Sequence, residues 1–295
     1  MTTKLPISGV NIVTHPHSPQ GYIDLMYAIF RSKRHVPVYG SLHLMMGELK
    51  PIDETNGMSG LFGRLYRFVN IDKDAPWFNV AKHDEATAEE LAQINLPDEL
   101  RPNTEMFDFV FYPVGHTFYF NMRSGNKIGG KKGNLGTGQV VKFLKTLTSL
   151  QPVQERFGPV DVTALPDQEQ LEKILAIHSL QKLVIEVSKP NPDELGEAQA
   201  KVFGRLDKMK TRKIRQEIFA ERHESIELDE DTATLARVAA TNGKVVGSGY
   251  TAAHRKVLES TVSKPWVDAV DYDSNVQTEA ETLMAATSGL PGHGG

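Results

Sequence analysis

The chain has 295 residues, with 33 lysines and arginines against 37 acids for a net charge of −4, 40 % hydrophobic residues and no cysteine. That length supports one large core or two modest ones, while the lack of cysteine excludes disulfides, thiolate metal sites and cysteine nucleophiles. No apolar run is long enough to span a bilayer, and Met1-Thr-Thr-Lys-Leu-Pro6 lacks a basic start followed by an apolar stretch, so a cytoplasmic protein is expected.

In chain order, Val10–Thr14 is a short β-like run, and Pro19–Arg31 is an amphipathic helix with Ile23, Met26, Tyr27 and Phe30 on its apolar side. Val36–Ile52 and Gly60–Ile71 are expected as strands, joined by the turn-rich Asp53–Gly60. A short acidic helix over Ala86–Gln93 leads into a proline-punctuated stretch, 96–102. A soft boundary there separates an N-terminal α+β region, residues 1–104, from a C-terminal α+β domain, residues 105–287, with 288–295 as a disordered tail.

The centre of the chain is an aromatic hairpin. Phe107–Tyr112 and Thr117–Met122 carry aromatic residues on both faces, the pattern of strands buried on both sides. A loop rich in glycine and lysine, Arg123–Gly136, then runs into a helix over Thr137–Leu150 with Val140, Val141, Leu144 and Leu147 as its buried stripe. Val160–Ala164 is a strand, Asp167–His178 a helix capped by Asp167, and Leu183–Val187 a strand apolar enough to be central. Asn191-Pro192-Asp193-Glu194 supplies an N-cap, a first-turn proline and first-turn acids, opening a long helix expected to reach about Phe219. A helix over Asp231–Ala240 ends at Asn242-Gly243. A hairpin follows, Lys244–Tyr250 with Lys256–Thr261, then the acidic Val267–Asp273 and a last helix near Thr278–Ala286. The class is α+β: antiparallel sheets with a central aromatic hairpin and packed helices, in two regions.

Charge is segregated. Asp84–Asp108 holds eight acids and one base, Arg101, whereas Asn121–Lys145 holds six bases and no acid. Lys201–Arg215 holds seven bases and one acid, Asp207; after Lys264 there are five acids and no lysine or arginine. Such patches allow one basic face on a weakly acidic protein.

Two basic segments are candidate polyanion contacts. Gly125-Asn-Lys-Ile-Gly-Gly130-Lys131-Lys132 comes close to a phosphate-binding P-loop, but Lys132 replaces the hydroxyl that would ligate magnesium and the helix begins too late. Backbone amides and Lys127, Lys131 and Lys132, with Lys142 beyond, could still grip phosphates; a solvated surface loop is the alternative. On the expected long helix, Lys201, Arg205, Lys208, Arg212 and Arg215 fall within about 80° of one another and form a rail about 21 Å long. An ordinary solvated helix face is the alternative, although such faces usually interleave signs. The shift of Ile214 and Ile218 around Lys213 implies a kink or a change of packing partner near Lys210.

Catalytic patterns fail. Asp161 with Glu186-Val-Ser-Lys189 has one residue too many for a restriction-type Glu-x-Lys, and strand alternation puts Glu186 and Lys189 on opposite faces. His15, His17 and His35 have no partners at metal-ligand spacing, His116 suits a structural role in the hairpin turn, and His223 is a surface residue. There is no G-x-S-x-G elbow, H-E-x-x-H or dinucleotide fingerprint. Tyr66, Phe68, Tyr119 and Phe120 could stack bases, but aromatic residues on strands are usually core.

Phe111-Tyr-Pro-Val-Gly-His116-Thr-Phe-Tyr-Phe120, Val187-Ser-Lys-Pro-Asn-Pro192 and Ala239-Ala-Thr-Asn-Gly243-Lys-Val-Val-Gly247 together resemble a family of bacterial and prophage proteins with no assigned enzymatic activity. More distantly, the order of elements is similar to that of the phage-exclusion protein RexA and the DNA-binding subunit of the Kiwa defence system. That resemblance implies a dimeric, largely sequence-independent DNA binder in anti-phage defence, possessing a defence-system partner; it transfers no catalytic residue.

The expectation is therefore a nucleic-acid-binding protein, DNA favoured over RNA, using Lys127, Lys131, Lys132, Lys142, Arg205, Lys208, Arg212 and Arg215, with no cofactor, metal or catalytic residue assigned and no membrane insertion. The alternatives are a metal-dependent nuclease or toxin with scattered carboxylates, and a self-assembly module joining the acidic C-terminal segment of one protomer to the basic face of another.

Overall fold

A computed structural model describes residues 2–72, 74–94, 97–189 and 196–290. β1 (Thr2–Thr14) is followed by α1 (Pro19–Arg31), which begins where the Ser18 hydroxyl accepts from the Gly21 amide and Pro19 occupies a position needing no N–H. The single strand expected over Val36–Ile52 is two, β2 (Val36–Tyr39) and β3 (Leu42–Pro51), because the chain reverses at Gly40, which adopts φ +50°. The Asp53–Gly60 turn returns the chain as β4 (Leu61–Val69). A small hairpin, β5 (Phe78–Asn79) with β6 (Asp84–Glu85), precedes α2 (Ala88–Leu91), whose Thr87 and Glu90 form a capping box.

The central hairpin is β7 (Glu105–Tyr112) and β8 (Thr117–Asn121). The expected Arg123–Gly136 loop is instead a two-stranded ribbon, β9 (Arg123–Ile128) and β10 (Lys131–Asn134), turning on Gly129 and Gly130 at φ +57° and +78°. After it come α3 (Thr137–Thr148), α4 (Gln151–Phe157), β11 (Val160–Ala164) and α5 (Gln168–Leu175), the last capped by Asp167. β12 (Ser179–Ser188), α6 (Glu197–Lys208), β13 (Lys213–Phe219), α7 (Glu230–Asn242), β14 (Gly243–Tyr250), β15 (Lys256–Ser260), β16 (Val267–Asp273) and α8 (Glu279–Thr287) complete the chain. The helix start expected at Asn191–Glu194 lies outside the described residues. Of the expected tail, Leu290 packs against core residues, and 291–295 lie outside the described residues.

One eight-stranded antiparallel sheet runs β11-β1-β8-β7-β4-β3-β2, with β16 beside the first half of β1. The sheet curls as a half-barrel, and α3 packs against both of its edge strands, β11 and β2. β4 pairs with β7 and β1 with β8, so strands from either side of residue 104 share this sheet. The described residues between β4 and β7 form an excursion between two strands that pair with each other.

The hairpin is buried on both sides, as its composition predicts. Phe107, Phe109, Phe111, Phe118 and Phe120 face a core completed by α1, α3 and α4, while Val110, Tyr112 and Tyr119 face a second core closed by α8. Each such aromatic contributes roughly 1.5–3 kcal/mol by leaving water. A separate four-stranded sheet, β13-β12-β14-β15, carries α5, α6 and α7 around Leu183, Ile185, Val187, Leu206 and Ala239. Among the described residues no helix is long and apolar enough to cross a membrane.

Candidate nucleic-acid interface

The glycines of the β9–β10 ribbon answer to packing as well as to the turn. A Cβ at Gly133 would collide with the Glu105 carboxylate, which lies beneath the ribbon in the grip of Arg67. Arg67 donates to Glu105 from Nε (2.6 Å), to the Asn134 carbonyl from Nη1 (2.7 Å) and to Gln139 Oε1 (3.2 Å). One buried guanidinium thus joins β4, β7, β10 and the first turn of α3. At the start of α3 the Gly136 amide is already engaged, donating to Gln139 Oε1 at 3.1 Å.

The lysines of the ribbon divide. Lys127 and Lys132 are cross-strand partners on one side, while alternation places Lys131 on the other. Lys132 is ion-paired with Glu279 of α8, and Glu279 also accepts from Tyr272 Oη and Asn121 Nδ2. It is a structural tie, not the phosphate contact expected of it. Lys127 and Lys131 are exposed, with no ion pair among the described residues.

The expected rail does not form. α6 stops at Lys208; Lys210 takes φ +52°, and the Thr211 amide donates back to the Leu206 carbonyl (2.9 Å). Arg212 therefore lies beyond the helix and Arg215 on β13, a strand hydrogen-bonded to β12. The cations also acquire acids: Lys201 meets Asp231 of α7 at 2.5 Å, Arg215 meets Glu217 on its own strand at 2.6 Å, and Arg212 Nε lies 4.0 Å from Asp161 of β11. Arg205 and Lys208 remain exposed on α6 and, among the described residues, without an ion pair.

What the structure does assemble is a basic surface at one end of the large sheet. His35, just before β2, and His43 on β3 approach across the hairpin, Nδ1 to Nδ1 at 2.8 Å, and both rings contact Phe68. Burial lowers the pKa of each ring. The charges that add to this effect are all positive: Arg34 and Arg101 at His35, and His35, Arg101 and Lys142 at His43. Arg101 is held in place by Asn70 Oδ1 (3.0 Å) and by the Leu100 carbonyl. Lys131 lines a shallow groove with Leu42, Val69 and Asn103, each one or two residues from His43, Phe68 and Arg101.

Of the predicted residues, Lys131 and Lys142 therefore approach a common surface, and Arg34, His43 and Arg101 join them unannounced. Arg101 was disguised by its acidic neighbours in sequence. The His35–His43 pair could have been found only from the β2–β3 turn, since Pro37 stands opposite His43 in the register.

His116, Glu186 and Lys189 are each held by neighbours within the fold. His116, at φ +42° in the β7–β8 turn, sits 2.5 Å from Asn11 Oδ1 and stacks on Tyr22; burial, reinforced by His17, pushes its pKa down to about 3. Glu186 pairs with Lys213 (2.5 Å) and Lys189 with Asp207 (2.6 Å). Among the described residues no group of three or more histidines and carboxylates is placed to hold a metal. No curated protein matches the chain. Residues 3–288 match the family model described as a domain of unknown function, DUF4747, and with nearly its whole length covered the chain belongs to that family.

Proposed function

We propose that this protein binds nucleic acid through the phosphate backbone, largely without regard to sequence, at the histidine-bearing end of its large sheet. The observation that carries the reading is the gathering of Arg34, Arg101 and Lys142, from three separate parts of the chain, around the His35–His43 pair, with Lys131 beside it. Cations gathered around one end of the sheet attract a polyanion, and contacts to phosphate carry no base-edge code. Duplex DNA is the favoured ligand. The proposed setting is cytoplasmic; a homodimer acting in anti-phage defence is the context suggested by the resemblance to phage-exclusion proteins.

The test is an anisotropy titration of the full chain with unrelated DNA duplexes, single-stranded DNA and RNA at two salt concentrations. Lys131→Glu with Lys142→Glu should weaken binding about equally on every duplex. It should also reduce the slope of log K against log salt by about 0.9 for each phosphate no longer neutralised. Unchanged affinity and slope would refute the assignment of this surface. Arg205→Glu with Lys208→Glu measures whether the exposed end of α6 extends it.

A further inference from the structure

α3 presents two different sides. Val140, Phe143, Leu144 and Leu147 are buried in the core of the large sheet, but Gly138, Val141, Lys145 and Ser149 follow one another along a stripe that meets the smaller sheet across open space. A Cβ at Gly138 would have no atom within 4 Å. The gap is a cleft of about 790 Å³, within the roughly 300–1,000 Å³ of small-molecule sites, and it lies between two sheets, where such sites concentrate. β11 forms one wall; the ends of β12, β13 and β14 form the other.

The chemistry of the lining is divided. Val141, Val160, Val262 and Pro265 give an apolar wall. Opposite and around it stand the hydroxyls of Ser149, Thr163, Ser188 and Ser263 and the ammonium groups of Lys145, Lys213 and Lys244. The two carboxylates in the cleft are occupied: Glu186 by Lys213 at 2.5 Å, and Asp161 by Arg212 across 4.0 Å. Lys145 and Lys244 have no ion pair among the described residues, and Lys244 is half-buried opposite Glu186 on β14. Protein interiors are otherwise close-packed, so a large polar opening with unneutralised lysines is suited to a charged occupant.

We infer that this cleft binds a phosphorylated small molecule of mononucleotide size, its ring on the valine wall and its phosphate between Lys145 and Lys244. The cleft is lined by other residues than the basic surface around His35 and His43, with Lys142 on that surface and Val141 and Lys145 in the cleft, and the inference does not depend on nucleic-acid binding. Isothermal titration calorimetry of the full chain with AMP, ATP, GTP and inorganic phosphate tests it. At least one nucleotide should bind, and more tightly than phosphate alone, because only the nucleotide uses the apolar wall. Lys145→Glu and Lys244→Gln should each weaken that nucleotide about tenfold or more, the range for losing a charge-assisted hydrogen bond. Gly138→Leu changes no charge, suits a helix and projects into the empty cleft; it should block binding while circular dichroism stays unchanged. Lys131→Glu, which is not among the cleft's lining residues, should leave nucleotide affinity as it is. No nucleotide binding at millimolar concentration would overturn the inference, and so would binding unaffected by Gly138→Leu and both lysine variants.

Discussion

Arg67→Met removes the charge that binds the basic ribbon to the sheet. The Arg67 and Glu105 side chains are 7 % and 12 % exposed and meet at 2.5 Å; the guanidinium also lies 5.3 Å from the centre of the Phe107 ring. Methionine keeps much of the packing volume but leaves the Glu105 carboxylate without its counter-ion and the Asn134 carbonyl without its donor. Removing one partner of a buried pair destabilises by about 3–5 kcal/mol, a large fraction of the roughly 5–15 kcal/mol that keeps a domain folded. Urea denaturation should show a midpoint lower by about 1 M or more, given slopes of about 1–3 kcal/mol per molar. Arg67→Met combined with Glu105→Leu removes both charges and should recover a substantial part of the loss, since apolar replacement of a whole buried pair is often near neutral. A single-variant loss below about 1 kcal/mol would refute the clamp. A double variant no better than the sum of the two single changes would refute the coupling.

Lys210→Gly should hold or raise the stability measured by urea denaturation, by up to about 1 kcal/mol, because glycine adopts φ +52° without strain; an unbroken helix would instead lose about that much. Gly133→Ala should destabilise by roughly 1–3 kcal/mol, since the added methyl displaces the Glu105 carboxylate; a neutral result in urea denaturation would show that the ribbon does not lie against the sheet. For His116, the folded pKa of about 3 lies below the ordinary 6.5, so the unfolded chain binds the proton first. Stability is full above the ordinary value and falls by about 1.4 kcal/mol per pH unit as pH drops from there toward the folded value. His116→Asn, which tolerates the positive φ, should flatten that dependence between pH 6 and pH 4, and an unchanged slope would contradict the burial.

The α+β class, the doubly buried Phe107–Tyr112 hairpin, the capped α1 and α5, and the β14–β15 hairpin could all be read locally, because aromatic composition on both faces and side-chain caps act over a few residues. The lysine-rich segments could be read only as composition. Ile214 and Ile218, four residues apart, satisfy a helical stripe and a period-two strand equally, and it is β12, supplying backbone partners from Lys182 to Ser188, that makes this segment a strand. With that choice the basic rail ends at Lys208, and Arg215 acquires Glu217. Likewise Lys132 is ion-paired with Glu279, which lies 147 positions away. The residues themselves determined which stretches must be buried and where α1 and α5 begin. Only the tertiary structure decided which cations stay unpaired and which share a surface, because an ion pair depends on distance in space and is indifferent to distance along the chain.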